Sequence, residues 1–424
     1  MDDYHRTIEY LYNLEYSGIK LGLENVSSLL TYLGNPQHKW PAIHIAGTNG
    51  KGSTAAFIFS ILREAGFKVG LYTSPHLVDF SERIRINEEK ISWSAIVNYT
   101  RDLKEQIEKQ QATFFEATTA LAFKYFADQQ VDIAVIETGL GGRLDATNLV
   151  KPLVTIITSI SFDHQRYLGN TLPQIAYEKA GIIKTGVPCV TFQQDQIILK
   201  VLQTRARQVG ADFFIINPQN QIKVISSDLH GSIFDLVLPS GTLSNLKITL
   251  VGDFQILNAA LAVEGVLRLP SALTCSENHI QNGLIKVTWP ARFQRIAENP
   301  LTVLDVAHNV DGFKKILSFI SQQIPSPKIW AIVGISQDKD YQKIADIMNK
   351  FIYKIGLVSN FSERSLDADI LLRELKHHKP PPEKFENITQ AYFAYRQSAP
   401  ADDLLLIIGS HYLAGEFLKK IQIS

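Results

Sequence analysis

The sequence predicts an α/β protein of two domains, each built on a mainly parallel sheet, and three observations favour this class. At about 150 residues per domain, its 424 residues are enough for two or three domains. Short continuous apolar runs alternate with stretches of helical composition, which is typical of parallel strands covered by helices on both faces. A second such series begins near residue 300, so we place the domains at residues 1–295 and 296–424.

Apolar periodicity predicts the elements of the first domain. Apolar residues recur at helical spacing in residues 8–14 and 23–33. The buried strands predicted after them are residues 42–46, 69–73, 131–137, 154–159 and 187–192. The helices predicted around these strands are residues 53–65, 94–110, 115–128, 172–183 and 253–269. Residues 212–251 are short, turn-rich and alternating, so we expect a small antiparallel β patch attached to this domain.

The second domain repeats the alternation of strand and helix, which predicts a Rossmann-like α/β domain. Its predicted strands are residues 302–306, 329–333, 354–358 and 404–408. Its predicted helices are residues 311–323, 341–351, 367–377, 387–397 and 413–421.

Charge, cysteine content and hydropathy exclude several classes of function. Lysine and arginine (42) balance aspartate and glutamate (42) without a basic arm, so we expect no nucleic-acid partner. The two cysteines lie in unrelated contexts and predict neither a disulfide framework nor a zinc site. The amino-terminal segment lacks a signal-peptide pattern, and no apolar run approaches the roughly 20 residues that span a bilayer. We therefore expect a soluble, cytoplasmic protein without a membrane partner.

A glycine-rich loop after the first predicted strand is the strongest functional signal. It comprises Gly47, Thr48, Asn49, Gly50, Lys51, Gly52 and Ser53. Glycines let backbone N–H groups converge on phosphate oxygens, the next helix adds partial positive charge, and Lys51 can neutralise the β and γ phosphates. The common phosphate loop has glycine where Ile45 stands and serine or threonine where Gly52 stands. The alternative is a turn that merely connects two elements; we favour a P-loop NTPase-like domain.

Polar side chains follow three of the predicted strands, at the end where parallel strands bind ligands. Ser74, Glu137 and His164 occupy these positions. A carboxylate and a hydroxyl are ligands that Mg²⁺ accepts readily. Taken singly, each residue has another interpretation, as a turn serine, a solvated strand end or a structural histidine.

Eleven segments carry a family resemblance. They are residues 18–37, 47–53 (GTNGKGS), 70–87 (GLYTSPHLVDFSERIRIN), 137–148 (ETGLGGRLDATN), 163–169, 177–184 (YEKAGIIK), 255–260, 289–292, 304–309, 336–340 and 409–416. In this order they resemble the folylpolyglutamate synthase/dihydrofolate synthase family of the Mur-type amide ligases, over essentially the whole chain. Members of that family make an acyl phosphate from a carboxylate and ATP, and an amino group then attacks it.

The resemblance implies roles for individual residues. ATP contacts are expected from residues 47–53 and from Asn258, Arg292, Asp305 and His308. Magnesium ligands are expected at Ser74, Glu137 and His164, with two magnesium sites and a monovalent cation as a further candidate. Lys179 matches a lysine that is carbamylated in the family. The side chains expected to act in catalysis are Lys51, His164, Lys179 and Arg292.

The resemblance also places a folate or pterin site in this chain. Its expected residues are Pro75, His76, Arg83, Leu144, Asp145 and Ala146. This chain departs from the family at Ala291, where glycine is usual before the hinge arginine, and at Phe254, where histidine is common. If position 291 requires a positive φ, alanine is strained there.

The implied function is an ATP-dependent ligase that joins L-glutamate to dihydropteroate, giving dihydrofolate, and to reduced folates, giving polyglutamates. We favour both activities because ETGLGGRLDATN resembles the bifunctional bacterial form. The alternatives are folylpolyglutamate synthesis alone, a Mur-type ligase for peptidoglycan precursors, or a GTPase-like or kinase-like P-loop protein. A GTPase needs an [NT]-K-x-D motif, which the sequence lacks in the appropriate region. By resemblance, the enzyme is expected to be a monomer.

Overall fold

The computed structural model describes residues 2–14, 20–324 and 328–421 and has the two α/β domains that the sequence predicts. Residues 18 and 19 of the first family segment lie outside the described residues. An eight-stranded and a three-stranded sheet form the first domain, and a six-stranded sheet forms the second. Within the described ranges, no helix combines the length and the apolar character needed to cross a membrane.

The eight-stranded sheet organises the first domain. Its strands are β1 (Ala42–Ala46), β2 (Val69–Tyr72), β3 (Ile84–Ile86), β4 (Glu89–Lys90), β5 (Ile133–Glu137), β6 (Pro152–Ile157), β7 (Cys189–Phe192) and β8 (Phe213–Ile216). Their order is β4-β3-β2-β5-β1-β6-β7-β8, with β2 and β5 to β8 parallel to β1 and an antiparallel β3–β4 pair at one edge. Every residue of β1 is buried, which accounts for its continuous apolar run.

Helices cover both faces of this sheet. The helices of the first domain are α1 (Asp3–Asn13), α2 (Glu24–Tyr32), α3 (Lys51–Glu64), α4 (Trp93–Gln110), α5 (Phe114–Asp128), α6 (Gln165–Leu168), α7 (Leu172–Ala180), α8 (Gln196–Gln208), α9 (Pro218–Gln221), α10 (Asp253–Leu267) and α11 (Glu277–Lys286). Helix α3 is buried without interruption over residues 52–62 and packs against α10 and α11. The core therefore anchors the helix that the phosphate loop opens.

Two features of the first domain correct the sequence-based assignment. The sequence analysis places residues 212–251 in one antiparallel patch, but β8 pairs in parallel with β7 in the main sheet. The antiparallel sheet consists of β9 (Ile222–Asp228), β10 (Gly231–Leu238) and β11 (Gly241–Ile248). Helices α8 and α11 have no counterpart in the prediction, because both present only a narrow apolar face among polar residues.

The second domain has a mainly parallel sheet covered by helices. Its strands are β12 (Gln294–Glu298), β13 (Leu301–Leu304), β14 (Ile329–Val333), β15 (Lys354–Val358), β16 (Glu383–Phe385) and β17 (Leu404–Ile408), in the order β12-β13-β17-β14-β15-β16. Its helices are α12 (Val310–Gln323), α13 (Tyr341–Phe351), α14 (Ala368–Glu374), α15 (Ile388–Ser398) and α16 (His411–Ile421). Strand β12 is antiparallel to β13 and crosses the proposed boundary at residues 295 and 296, which stays a prediction.

Candidate active site

A cavity of about 670 Å³ lies between the two domains, and its wall includes side chains from both. All the site residues predicted from the sequence line it, with the exception of His76. The carboxyl ends of β1, β2, β5 and β6 open toward it, as expected for ligand sites in parallel sheets. The fold thus brings together residues that are distant in the chain, such as Asn49 and Asn309, which are 260 positions apart.

The phosphate loop has the backbone geometry that its glycines predict. Gly50 has a φ of 89° directly before α3, in the left-handed region that favours glycine. A β-carbon at Gly50 would lie 2.4 Å from Oδ1 of Asn258, so the loop passes closely over α10. Asn258 itself is held by a 2.9 Å hydrogen bond from its Nδ2 to Oε1 of Gln255. Any side chain at position 50 would therefore move either the loop or Asn258.

Glu137 and Ser74 meet at the ends of neighbouring strands. The backbone N–H of Ser74 donates to Oε2 of Glu137 at 3.2 Å, and Nζ of Lys51 lies 3.9 Å from Oε1. Burial raises the pKa of Glu137, while the charge of Lys51 and the hydrogen bond from Ser74 act in the opposite direction. The site thus contains a buried carboxylate that is only partly compensated by the protein.

His164 stands at the same edge, just before α6. It adopts a φ of 48°, and its Nδ1 lies 3.8 Å from Oδ2 of Asp338 in the second domain. Burial lowers its pKa to about 4, against the attraction of Asp163. The imidazole is therefore neutral at pH 7 and retains a nitrogen lone pair.

Lys179 is buried beneath the phosphate loop. It lies on α7, and its Nζ donates to the backbone carbonyl of Gly47 at 2.7 Å. Burial, followed by the charge of Lys51, lowers the pKa of Lys179 to about 7. About half of these amines are thus neutral at neutral pH, a precondition for nucleophilic chemistry at a lysine.

Arg292 enters the cavity from the hinge between the domains. It is enclosed by Asp305, whose carboxylate accepts from the N–H groups of Phe293 and Ala307, and by His411, whose Nε2 lies 3.4 Å from Nη2 of the arginine. Ala291 has a φ of 55° and Phe293 a φ of 46°, so both neighbours of Arg292 are in the left-handed region. Position 291 thus requires the positive φ that glycine would adopt without strain.

Polar contacts between described residues join the domains across the cavity. Nδ2 of Asn49 donates to Oδ2 of Asp311 at 2.8 Å, and Asn49 exchanges amide hydrogen bonds with Asn309. The carboxylate of Asp163 accepts from Nζ of Lys339 at 2.8 Å. Burial alone would raise the pKa of Asp163, but a hydrogen bond from His308 and nearby positive charges hold it well below its usual range. Neither Asp311 nor Lys339 is predicted from the sequence as a site residue, although residues 336–340 form one of the family segments.

The residues predicted for a folate or pterin site form part of the cavity wall, together with residues that were not predicted individually. Pro75, Arg83 and residues 144–146 line it as predicted, whereas His76 lies behind Arg83. The additional lining residues are Lys20, Leu21, Gly22, Thr113, Phe114 and Phe115. A Thr113–Glu116 capping box, visible as T-x-x-E before an apolar run, fixes the start of α5. That motif is the signal that could have located this wall.

Fold and site together define an ATP-dependent ligase of the Mur type. The Mur ligase middle domain matches residues 45–265, and the Mur ligase glutamate ligase domain matches residues 291–411. The chain is 36% identical over 415 residues to the dihydrofolate synthase/folylpolyglutamate synthase of Bacillus subtilis, covering 96% of each protein. It is 32% identical over 414 residues to the protein of the same name from Escherichia coli, covering 98% of this chain and 94% of the relative.

Solved structures agree with these sequence relatives. Mycobacterium tuberculosis folylpolyglutamate synthase complexed with ADP superposes with a TM-score of 0.90 at 28% identity, over 99% of both chains. E. coli FolC in complex with DHPP and ADP superposes with a TM-score of 0.87 at 31% identity, over 98% of both chains. The chain belongs to the folylpolyglutamate synthase/dihydrofolate synthase family, and it is an ATP-dependent, amide-forming ligase.

Proposed function

We propose that this enzyme joins L-glutamate to dihydropteroate and to reduced folates, after activating the accepting carboxylate as an acyl phosphate. The observation that carries the proposal is one cavity lined both by the phosphate loop with Lys51 and by the predicted pterin residues, such as Asp145. The relatives from B. subtilis and E. coli are named for both activities. A Lacticaseibacillus casei relative, 37% identical over 367 residues, is named folylpolyglutamate synthase alone, so extension without dihydrofolate synthesis is the second candidate.

The phosphate loop and the hinge would carry out the phosphoryl-transfer half of the reaction. ATP would lie on residues 47–53, with its phosphates on the backbone N–H groups at the start of α3. Lys51 on the phosphate loop and Arg292 at the hinge both line the cavity and would neutralise charge on the transferring phosphoryl group. Because Asp305 and His308 line the same cavity from the second domain, a productive site requires the cleft to be closed.

Glu137, Ser74 and His164 would hold a magnesium ion, which when bound neutralises phosphate charge. The fit rests on the buried, partly compensated carboxylate of Glu137 and the neutral imidazole of His164. In the described part of the chain, no three histidine, cysteine, aspartate or glutamate side chains are grouped to hold a metal alone, so phosphate, hydroxyl and water oxygens would complete the shell. A second magnesium ion and a monovalent cation belong to the same proposal.

Lys179 is proposed to be carbamylated and so to become an anion that supports the second magnesium ion. Its lowered pKa supplies the neutral amine that reaction with CO₂ needs. The test is Lys179→Ala, assayed with and without short carboxylic acids that can occupy the vacated volume. Full activity in the unrescued variant would refute a role for the modification.

The second half of the reaction is the attack of glutamate on the acyl phosphate. Side chains of the second domain that face the cavity, among them His308 and His411, would form the glutamate side of the cleft. Contacts such as Asn49–Asp311 hold the cleft closed and would keep water from the acyl phosphate. We propose that the enzyme works as a monomer, because both walls of the cavity come from one chain.

An ADP-release assay tests the proposal directly. Dihydropteroate, tetrahydrofolate and a UDP-muramyl substrate are each supplied with ATP, with and without L-glutamate. We expect glutamate-dependent ADP release with the first two substrates and none with the third. Lys51→Met should abolish it, and Lys247→Met, at an exposed position on β11, should not. ADP release that never depends on a pterin substrate together with glutamate would overturn the proposal.

A further inference from the structure

Arg83 is a buried cation that forms no direct ion pair with a carboxylate of the described residues, although its charge helps to lower the pKa of Glu137. Its side chain lines the cavity although the residue is only 7% exposed, and no carboxylate lies within 4.0 Å of it in the part of the chain that the structure describes. Two other cations of the cavity are paired with carboxylates: Lys315 with Asp311 and Lys339 with Asp163, each at 2.8 Å. A buried guanidinium left uncompensated is costly, so an anionic ligand that enters this cavity would be strongly favoured beside it.

The guanidinium is held in place from behind. Nε–H of Arg83 donates to Nδ1 of His76 at 2.8 Å, so Nδ1 carries no proton. The remaining ring proton is therefore on Nε2, which faces the hydroxyl of Tyr12 at 3.0 Å. The guanidinium carbon also lies 5.0 Å from the centre of the Phe114 ring. These contacts fix the orientation of the guanidinium group of Arg83 and use only one of its five N–H bonds.

The loop that carries Arg83 is itself rigidly anchored near the reacting groups. Glu82 and Asp79 form a capping box at its turn, and the hydroxyl of Tyr4 on α1 donates to Asp79 at 3.0 Å. The backbone carbonyl of Arg83 accepts from the N–H of Thr73, the residue before Ser74. Arg83 thus lies beside the strand end where Ser74 meets Glu137, without being part of the phosphate loop.

We propose that Arg83 forms a subsite for the α-carboxylate of the terminal glutamyl residue of a folate substrate, and thereby favours extension of folates. The proposal rests on the proposed function. Such a substrate carries two carboxylates separated by the α-carbon and two methylene groups, and the reacting γ-carboxylate must face the phosphate loop. The second carboxylate then needs a partner close to Glu137 but away from the phosphates, and a guanidinium fork matches a carboxylate in both charge and shape. Dihydropteroate has one carboxylate, so it leaves this subsite unused.

A substrate comparison tests the subsite without altering the protein. The wild-type enzyme is assayed, with ATP and L-glutamate saturating, on tetrahydrofolate and on an analogue in which γ-aminobutyrate replaces the glutamyl residue, which removes only the α-carboxylate. We expect kcat/KM to fall by about 50-fold or more for the analogue, mainly through KM. Equal kcat/KM values for the two substrates would overturn the proposal.

Variants then assign the effect to Arg83. Arg83→Gln should lower kcat/KM for tetrahydrofolate by about 50-fold or more, lower it for dihydropteroate by less than about fivefold, and abolish the discrimination against the analogue. Arg83→Lys keeps the charge and should recover part of the loss. Arg101→Gln, at a side chain that is 69% exposed on α4, is the matched control and should behave as wild type.

The results separate the subsite from the proposed function. Equal losses of both activities in Arg83→Gln would show that Arg83 only supports the loop and would overturn the subsite. Absence of glutamate-dependent ADP release from the wild-type enzyme with every pterin substrate would overturn the proposed function itself. If Arg83→Gln does not fold, the wild-type comparison of tetrahydrofolate with its analogue still decides whether an α-carboxylate subsite exists.

Discussion

The ammonium of Lys179 donates a 2.7 Å hydrogen bond to the backbone carbonyl of Gly47, which ties α7 to the first residue of the phosphate loop. The contact is buried, and burial lowers the pKa of Lys179 from about 10.5 to about 7. One lysine therefore links the geometry of the loop to a proton equilibrium near neutral pH. Any change in the charge of the Lys179 side chain should therefore affect the phosphate loop.

The first prediction is that Lys179 makes stability rise with pH above neutrality. Between about pH 7 and 10.5 the unfolded chain binds a proton on this lysine that the native protein does not, so the free energy of unfolding increases with pH. The slope can reach about 1.4 kcal/mol per pH unit. Lys179→Met removes this term, so in CO₂-depleted buffer its stability relative to wild type should be greatest near pH 6 and decline toward pH 10. Parallel urea-unfolding curves for the two proteins over this range would contradict the prediction.

The second prediction concerns the contact between Lys339 and Asp163, which joins the domains. Both side chains are less than 10% exposed, so Lys339→Met would remove the lysine from buried Asp163 and leave partners such as Asn309 and His308. Breaking a buried ion pair costs up to about 3–5 kcal/mol. Opening of the cleft would hydrate the carboxylate and relieve this cost. We expect a larger radius of gyration by X-ray scattering with saturating ATP, and at least about a 100-fold lower kcat/KM.

The matched control for this prediction is Lys343→Met. Lys343 pairs with Asp340 at 2.7 Å in the same domain but is 69% exposed, so the loss of its ion pair should have little effect. A Lys339→Met enzyme with the scattering profile and activity of wild type would show that the contact does not hold the cleft closed.

Much of the candidate site could be predicted because its residues are close to strand ends in the sequence. Ser74, Glu137 and His164 each follow a predicted strand, and parallel strands place such residues at one edge. The phosphate loop likewise carries its own backbone signature. Such features depend only on residues that are neighbours in the chain, so a single sequence is enough to predict them.

The rest of the candidate site could not be predicted, because it depends on contacts between segments that are distant in the chain. Nothing local shows that the side chain of Asn49 reaches Asp311, or that Lys339 lies against Asp163. In the sequence, Arg83 resembles a charge on a solvated loop. Its burial without a directly paired carboxylate among the described residues is visible only in three dimensions. In the fold, β8 was misassigned because a short apolar strand beside turn residues fits an edge of either sheet.

The third prediction concerns the strained backbone at Ala291. This residue is fully buried with a φ of 55°, a conformation that costs an L-residue roughly 1–2 kcal/mol relative to glycine. Ala291→Gly relieves this cost, but it removes a buried methyl group worth about 0.8 kcal/mol and adds about 0.4–1 kcal/mol of unfolded-state entropy. The terms nearly cancel, so urea unfolding should show a change of less than about 1 kcal/mol.

A comparison at a second alanine makes this prediction sharp. Ala331 is equally buried but lies in the central strand β14 with ordinary backbone angles. Ala331→Gly loses the methyl group and gains unfolded-state entropy without relief of strain, so it should destabilise the protein by about 1.2–1.8 kcal/mol. Equal losses for the two substitutions would show that Ala291 carries no backbone strain.

The last prediction concerns the two cysteines, which should be inert in the native enzyme. Burial raises the pKa of Cys189 to about 12 and that of Cys275 to about 11. Thiols react as thiolates, and at pH 8 a thiol with a pKa of 12 is ionised in only about one molecule in ten thousand. Ellman's reagent should therefore label neither cysteine in the native protein and both in guanidinium chloride.

Ser226→Cys, at an exposed position on β9, should add one rapidly reacting thiol and show that the reagent is effective. Rapid labelling of the native wild-type enzyme would mean that the strand carrying Cys189 or the turn carrying Cys275 opens far more often than its packing implies.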